Sequence, residues 1–321
     1  MPRLGTFILL GGASLLSLGL AVAIGSVAVP LAGVWAVLLG EGSPLHQTLV
    51  LDLRLPRALA AFATGGLLAV AGALMQVLLR NPLADPYVLG LSGGAAVGAL
   101  LAMLAGFGTA LVSGSAFAGA LFSTLLVFGL AHGTGSWTPT RLLLTGVVVA
   151  AGWGALISFM LAVSPAEELP GMLYWLMGDM AHARSPWPPL VVLAVAVALA
   201  WPLGRSLNVL ARGSLQAAAL GVRVRPLEWT VYLLAALLTA VAVTVAGSVG
   251  FVGLVVPHML RLVLGNDQRV ILPAAALAGG ILLVLADTLA RTLIAPEQLP
   301  VGVITALLGV PLFLYLLYRS R

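Results

Sequence analysis

The chain contains no cysteine and no lysine, and only 8% of its 321 residues are charged. Without cysteine, disulfides and thiolate metal sites are excluded. Without lysine there is no GxxxxGK[ST] phosphate loop, so the chain has no Walker A ATPase site of its own. Chemistry is scarce elsewhere too. The four histidines, His46, His132, His182 and His258, show no metal-ligand spacing, and the serines and acids form no nucleophile–base signature. No metal, no cofactor and no enzymatic reaction is expected. Soluble domains carry about 25% charged residues. A chain this poor in charge, with 61% hydrophobic residues, cannot face water all round, so its solvent is a bilayer. The formal charge of +5 comes from 15 arginines against 10 acids. With no basic run or aromatic-basic patch, nucleic acid is excluded as a partner, and the charge is read through membrane topology.

What is present is long apolar sequence. A spanning helix needs about 20 mostly apolar residues. Ten candidate spans result: 4–29, 57–79, 87–106, 110–131, 141–163, 187–204, 228–247, 250–265, 270–291 and 299–318. The first run is too long for a signal-peptide core and reads as an uncleaved span. The eighth is short, and Pro257 predicts a broken or tilted helix. No soluble domain interrupts the series. Residues 1–321 therefore read as a single all-α polytopic membrane domain, with its longest polar-leaning stretches at 164–186 and 204–227.

Ten spans put both chain ends on one side. Eleven arginines fall on that side and four on the other: Arg54, Arg57, Arg184 and Arg291. The positive-inside rule makes the ends cytoplasmic. Arg54, Arg57 and Arg291 are then external exceptions to the charge bias, to be explained either by lipid phosphate contact and snorkelling or by a partner. Asp287, the one acid well inside a span, lies one turn before Arg291 and reads as its i,i+4 ion-pair partner. A proton or sodium relay would want more such groups at mid-depth. An ion-coupled secondary transporter is accordingly the alternative reading.

Three segments carry further signal. The stretch "LNVLARGSLQAAALGV", inside loop 204–227, is helix-like, and Gly221 is its expected stop. It is either a helix lying flat on lipid headgroups or a docking helix for a soluble partner. "RNPLADPYVLG", with Asn81, Pro82, Asp85 and Pro86, reads as a rigid turn between spans two and three. Gly90, Gly94 and Gly98 repeat every four residues, a spacing that packs helices closely, within one chain in the favoured reading and at a dimer seam in the other. Trp175 and Trp187 fit an interfacial aromatic belt.

Four stretches in this order resemble the FecCD/BtuC family, the type II ABC importer permeases for ferric siderophores, haem and cobalamin. They run from Arg54 to Ala99, from Leu207 to Val222, from Gly247 to Arg261 and from Leu299 to Leu317. The resemblance implies a permease subunit of the bacterial inner membrane. It implies a second copy of the chain around a central pathway, with span five (Gly146, Gly152, Gly154) as a candidate lining. Two separate ATPase subunits would bind ATP and magnesium, and a periplasmic binding protein would deliver the chelate. Arg54, Arg57 and Arg291 are the implied docking residues for that protein. Asn208, Ala211, Gly213, Ser214, Ala217, Leu220 and Gly221 are the implied coupling element on the ATPase. Ser214 stands where the family usually has an acid. Asn81, Pro82, Asp85, Pro86, Pro257 and His258 are placed at the inner mouth. His258 is read as a family feature rather than a haem ligand. The resemblance does not separate one chelate from another.

Overall fold

The computed structural model describes residues 2–25, 27, 29–132, 138–181, 183 and 185–319. Arg184 and Arg321, both used in the charge count above, lie outside the described residues. Among the described residues the regular structure is entirely helical. This is what a bilayer requires, because a helix satisfies its own backbone where no water can.

Ten helices correspond to the ten expected spans: α1 Pro2–Ala23, α4 Leu55–Leu78, α5 Leu91–Leu104, α6 Thr109–His132, α7 Pro139–Val163, α9 Trp187–Leu210, α11 Val224–Ala246, α12 Val252–Leu264, α13 Gln268–Thr292 and α14 Val301–Arg319. Seven segments are long and apolar enough to cross a membrane, and α5, α12 and the apolar part of α14 are shorter. Between α1 and α4 lie two short helices, α2 Leu31–Leu38 and α3 Pro44–Gln47, and a π-helical stretch Thr48–Arg54 that runs straight into α4. Helix α8 (Leu169–Met177) links α7 to α9, and α10 (Ser214–Ala219) links α9 to α11. The face bearing the chain ends is called here the end face, and the opposite one the far face.

Helix α4 is the axis of the molecule. It is buried along nearly its whole length and packs against α13, α11, α12 and α9. Its sequence, "LPRALAAFATGGLLAVAGALMQVL", explains why. Lipid tails are as apolar as leucine, so helices associate by close backbone packing and not by exclusion of water. Gly65 lies against the backbone of Gly279 in α13, and Gly72 against that of Gly253 in α12. At either position a Cβ would collide with main chain that cannot yield. The glycine series of α5 works in the same way. Gly94 meets Gly119 and Gly98 meets Ser115, which seats α5 on α6 within the chain.

Two expectations need correction. The eighth span is not broken at Pro257, because α12 is helical through that residue. It is short because it starts partway through the membrane, at Phe251 (φ 69°). The segment 79–90 is likewise not a simple turn at the mouth. It climbs back inward, so that the Gly90 carbonyl accepts from Ser123 Oγ at 2.8 Å. Gly90 also touches Ala150, and both partners sit near the middle of their helices. Helix α5 therefore starts near mid-depth. At about 1.5 Å per residue α5 and α12 reach only about 20 Å each, against roughly 30 Å for the hydrocarbon core. Their N-terminal ends meet. Ser92 and Ser248 share a hydroxyl–hydroxyl hydrogen bond of 2.8 Å, and the Val249 amide donates to Tyr87 Oη at 3.2 Å.

Candidate functional sites at the two mouths

The three arginines that broke the charge bias lie together on the far face, turned inward. Arg54 ends the π-helical stretch and donates to the carbonyls of Val22 and Ala23 at 2.9 and 3.1 Å, and to that of Val27. The first two are orphan carbonyls at the C-terminus of α1, where a cation also meets the negative end of the helix dipole. Arg57, in the first turn of α4, grips Asp287 of α13 with Nε at 3.1 Å from both carboxylate oxygens and a terminal nitrogen at 2.8 Å from Oδ1. Its other terminal nitrogen donates to Gln298 at 2.8 Å. Arg291 is Asp287's i,i+4 partner, as the sequence suggested, at 3.1 Å, and it also donates to the Ala21 carbonyl. Asp287 is 1% exposed.

Two guanidiniums thus share one carboxylate, which ties α4 to α13, while Arg54 and Arg291 tie both helices to the end of α1 through its carbonyls. The sequence pointed to the cations. It gave no signal that Asp287 pairs with Arg57, 230 positions away. Arg54 and Arg291 are buried and committed to carbonyls, and Arg57 lies nearest to solvent of the three.

Helix α8 contributes to a separate cavity of about 690 Å³ lined by Tyr174, Trp175, Asp179, Thr109 and Thr244, among others. Trp187 is 69% exposed, as an aromatic belt requires, whereas Trp175 packs inward against the core of α5 and α6.

On the end face the segment expected to couple to the ATPase is helical but is not one helix. Helix α9 runs to Leu210, the chain turns a corner through Ala211, Arg212 and Gly213, and α10 covers only Ser214–Ala219. Gly213 takes φ 132° at that corner, a backbone conformation that side-chain-bearing residues rarely adopt. Gly221 stops α10 with φ 81°, and the Val222 amide returns to the Ala217 carbonyl, as a left-handed helix end requires.

Asn208 fixes the corner to α13. It donates to Asp267 Oδ1 at 2.9 Å and accepts from the Gln268 amide at 2.7 Å. Asp267 caps α13 and is paired with Arg269 at 2.9 Å. The Arg269 hydrogen bond holds the Asp267 carboxyl well below the usual carboxylate range; burial opposes this and the Asn208 amide adds to it. Ala217 is fully buried, while Leu215 and Leu220 are 88% and 70% exposed. Ser214 Oγ donates to Glu228 of α11 at 3.3 Å. A carboxylate therefore stands beside the position where the family usually carries one.

The residues assigned to the inner mouth separate. Asn81 folds its own turn, its Oδ1 accepting from the Leu83 amide, and Pro82 is exposed beside it. Asp85 caps the re-entrant turn at the Tyr87 amide, and Pro86 is buried against Gly253. Pro257 is buried, and His258 faces the ring of Phe313 at 6.4 Å. One cavity of about 540 Å³ joins the two end-face sets, with Pro82 and Arg80 on one wall and Asn208, Ala211 and Arg212 on the other.

Helix α7, the expected pathway lining, has neighbours on one side only. Gly146 is buried, but the space where Gly152 and Gly154 would carry a Cβ is open.

This architecture, seven membrane-long apolar helices with three shorter ones packed among them and a helical corner on the end face, is that of a polytopic membrane permease. The sequence matches the FecCD transport family over residues 13–319, and the chain belongs to that family. The hemin transport system permease protein HmuU of Yersinia pestis is 41% identical over 280 residues, covering 84% of this chain and 83% of the relative. The vitamin B12 import system permease protein BtuC of Vibrio cholerae is 40% identical over 296 residues, covering 89% and 88%. An uncharacterised ABC transporter permease of Bacillus subtilis, YvrB, is 36% identical over 323 residues, covering 95% and 91%. An inward-facing structure described as a metal-chelate type ABC transporter superposes with a TM-score of 0.86 at 31% identity, over 99% of this chain and all of the other.

Proposed function

We propose that the chain is the translocation subunit of a binding-protein-dependent ABC importer that carries a metal chelate across the bacterial inner membrane. Both termini and the α10 corner would then be cytoplasmic, and the far face periplasmic. The observation that carries this reading is α10. It is a short helix fixed by Asn208 to the start of α13, and it presents Leu215 and Leu220 to solvent where a soluble ATPase would seat. The arginine excess on the opposite, end face supports the periplasmic assignment of the far face. Asp287 neutralises one of the three guanidiniums, so the cluster itself keeps a local positive charge that an acidic patch of a binding protein would meet. Arg57 is its most accessible member, and Arg54 and Arg291 shape the mouth. Field complementarity of this kind speeds encounter and fixes orientation. ATP and magnesium belong to two partner ATPases. The pathway forms between two copies of the chain along the uncovered side of α7. Relatives that carry hemin and vitamin B12 support a bulky chelate as cargo without choosing between them.

The test is reconstitution of the permease with its ATPase and binding protein in proteoliposomes. Uptake of a haem, cobalamin or ferric siderophore is expected to require ATP hydrolysis and to survive collapse of ion gradients. Uptake driven by a proton or sodium gradient without ATP would make the chain a secondary transporter instead.

A further inference from the structure

The far face carries an apolar surface that neither the arginine cluster nor the cavities use. From Leu4 to Gly40 the chain holds no charged residue. Helix α1 takes the first part of this run, and residues 24–40 lie beyond it. They do not form a second crossing. Helix α2 has eight residues, about 12 Å at roughly 1.5 Å per residue, against about 30 Å of hydrocarbon. Its inner side is packed: Val34 and Val37 are buried with Val22 of α1 and Val50 of the π-helical stretch. Its outer side is bare. Trp35 and Leu39 are 64% and 74% exposed, and Leu45 of α3 is 63% exposed. An exposed apolar surface of this kind marks a partner. The C-terminal end of α2 also closes without water. Gly40 takes φ 85°, its amide donates to the Val37 carbonyl at 3.0 Å, and the Glu41 amide donates to that of Ala36 at 2.8 Å. This is the Schellman pattern, which satisfies carbonyls that a helix end otherwise leaves open.

We propose that α2 and α3 are seated in the headgroup layer of the far-face leaflet, with Trp35, Leu39 and Leu45 in contact with lipid. Three observations select lipid as the partner. The surface is uncharged, so it has nothing to offer the polar rim of a docked protein. It is joined to α1, which stands at the edge of the molecule and buries only 22% of its most apolar window. Tryptophan favours the boundary between headgroups and acyl chains, and the exposed Glu41 returns the chain to water directly after α2. The seat matters to the arginine cluster. Arg54 donates to the carbonyls of Val22, Ala23 and Val27 and lies against Gly25, so the link from α1 to α2 is fastened to the cluster. Holding α2 in the headgroups fixes the height of the cluster above the bilayer. The inference needs only that α1 crosses a membrane, and it stands whatever the cargo is.

The absence of native cysteine allows a direct test. Single cysteines at positions 35, 39 and 45 of the full-length chain are spin-labelled in phosphatidylethanolamine–phosphatidylglycerol vesicles. Collision rates with oxygen, which concentrates in lipid, and with a water-soluble nickel chelate are then measured. Leu16→Cys, on the exposed flank of α1, is the lipid standard, and Glu41→Cys the aqueous one. Labels at 35 and 39 are expected to favour oxygen, at a depth between the two standards. Adding Trp35→Glu to the label at 39 is expected to raise nickel access there severalfold, with the unfolding midpoint unchanged. A nickel excess at both 35 and 39 places α2 in water and overturns the proposal. Low access to both reagents, with dipolar broadening between labels, overturns it in favour of contact with a second copy of the chain. A signal at 39 that ignores Trp35→Glu overturns it as well.

Discussion

Asp287 holds a disproportionate share of the far-face structure. It is the only anion for two close guanidiniums, and it is 1% exposed. Removing one partner of a buried ion pair leaves uncompensated charge and costs about 3–5 kcal/mol. Asp287→Asn is expected to lower stability by about that amount, measured as the thermal unfolding midpoint of the purified chain. Adding Arg57→Gln removes one of the stranded cations and should recover part of the loss. Asp267 behaves differently because it lies at the membrane edge. Its carboxyl titrates below the ordinary value of about 4, so the stability it confers is fully present above that pH and drains away as pH falls through the depressed native value. The difference in unfolding midpoint between the wild type and Asp267→Asn should be constant from pH 7 to about 5. It should close below about pH 4. A difference that grows on acidification would contradict the Arg269 pairing.

At the scale of elements, Gly213 is a corner rather than the middle of a helix. The consequence of Gly213→Pro therefore rests on φ and not on a lost helical hydrogen bond: proline is fixed near −65°, whereas the corner needs 132°. The substitution should redirect α10 while the spanning helices still insert. In proteoliposomes, ATP hydrolysis should persist and uptake should fall. Normal coupled uptake by this variant would remove α10 from the coupling role. The same corner shows how far the sequence could be read. The stop at Gly221 was legible because left-handed helix ends favour glycine. The break at Ala211–Gly213 was not read, although Gly213 marks it, because one glycine inside an otherwise helix-forming stretch is compatible with a continuous helix. The ten spans were legible because apolar length is what a bilayer demands. The half-length starts of α5 and α12 were not, because membrane-embedded loops such as 85–90 and 247–251 are nearly as apolar as helices, and hydropathy does not register where the backbone turns. The arginine cluster was visible only as a breach of charge bias; its cross-chain partner needed the fold.

At the scale of the whole molecule, α7 is the least covered of the seven membrane-long segments, with 11% of its most apolar window buried. On its uncovered side Gly152 and Gly154 meet no neighbour within the chain, and it is the side that the proposed function gives to the pathway. Mass measurement of the detergent-solubilised complex is expected to give two copies of this chain with two ATPase subunits. Gly154→Leu should fold as the wild type, because nothing stands where the side chain would go, and should reduce uptake. Unimpaired uptake in that variant would move the pathway elsewhere.

The hydrogen bond between Ser92 and Ser248 joins the two half-length helices where they meet, and the chain holds no sulfhydryl that could interfere with a reporter there. Cysteines at these two positions would make a redox-addressable clasp. Because Tyr87–Val249 and Pro86–Gly253 contacts flank the pair, the two helix ends are expected to travel as one body through the cycle. The oxidised double variant Ser92→Cys with Ser248→Cys should then cross-link readily and still transport. Arrest on oxidation, released by reductant, would instead mark this junction as the place where the subunit parts.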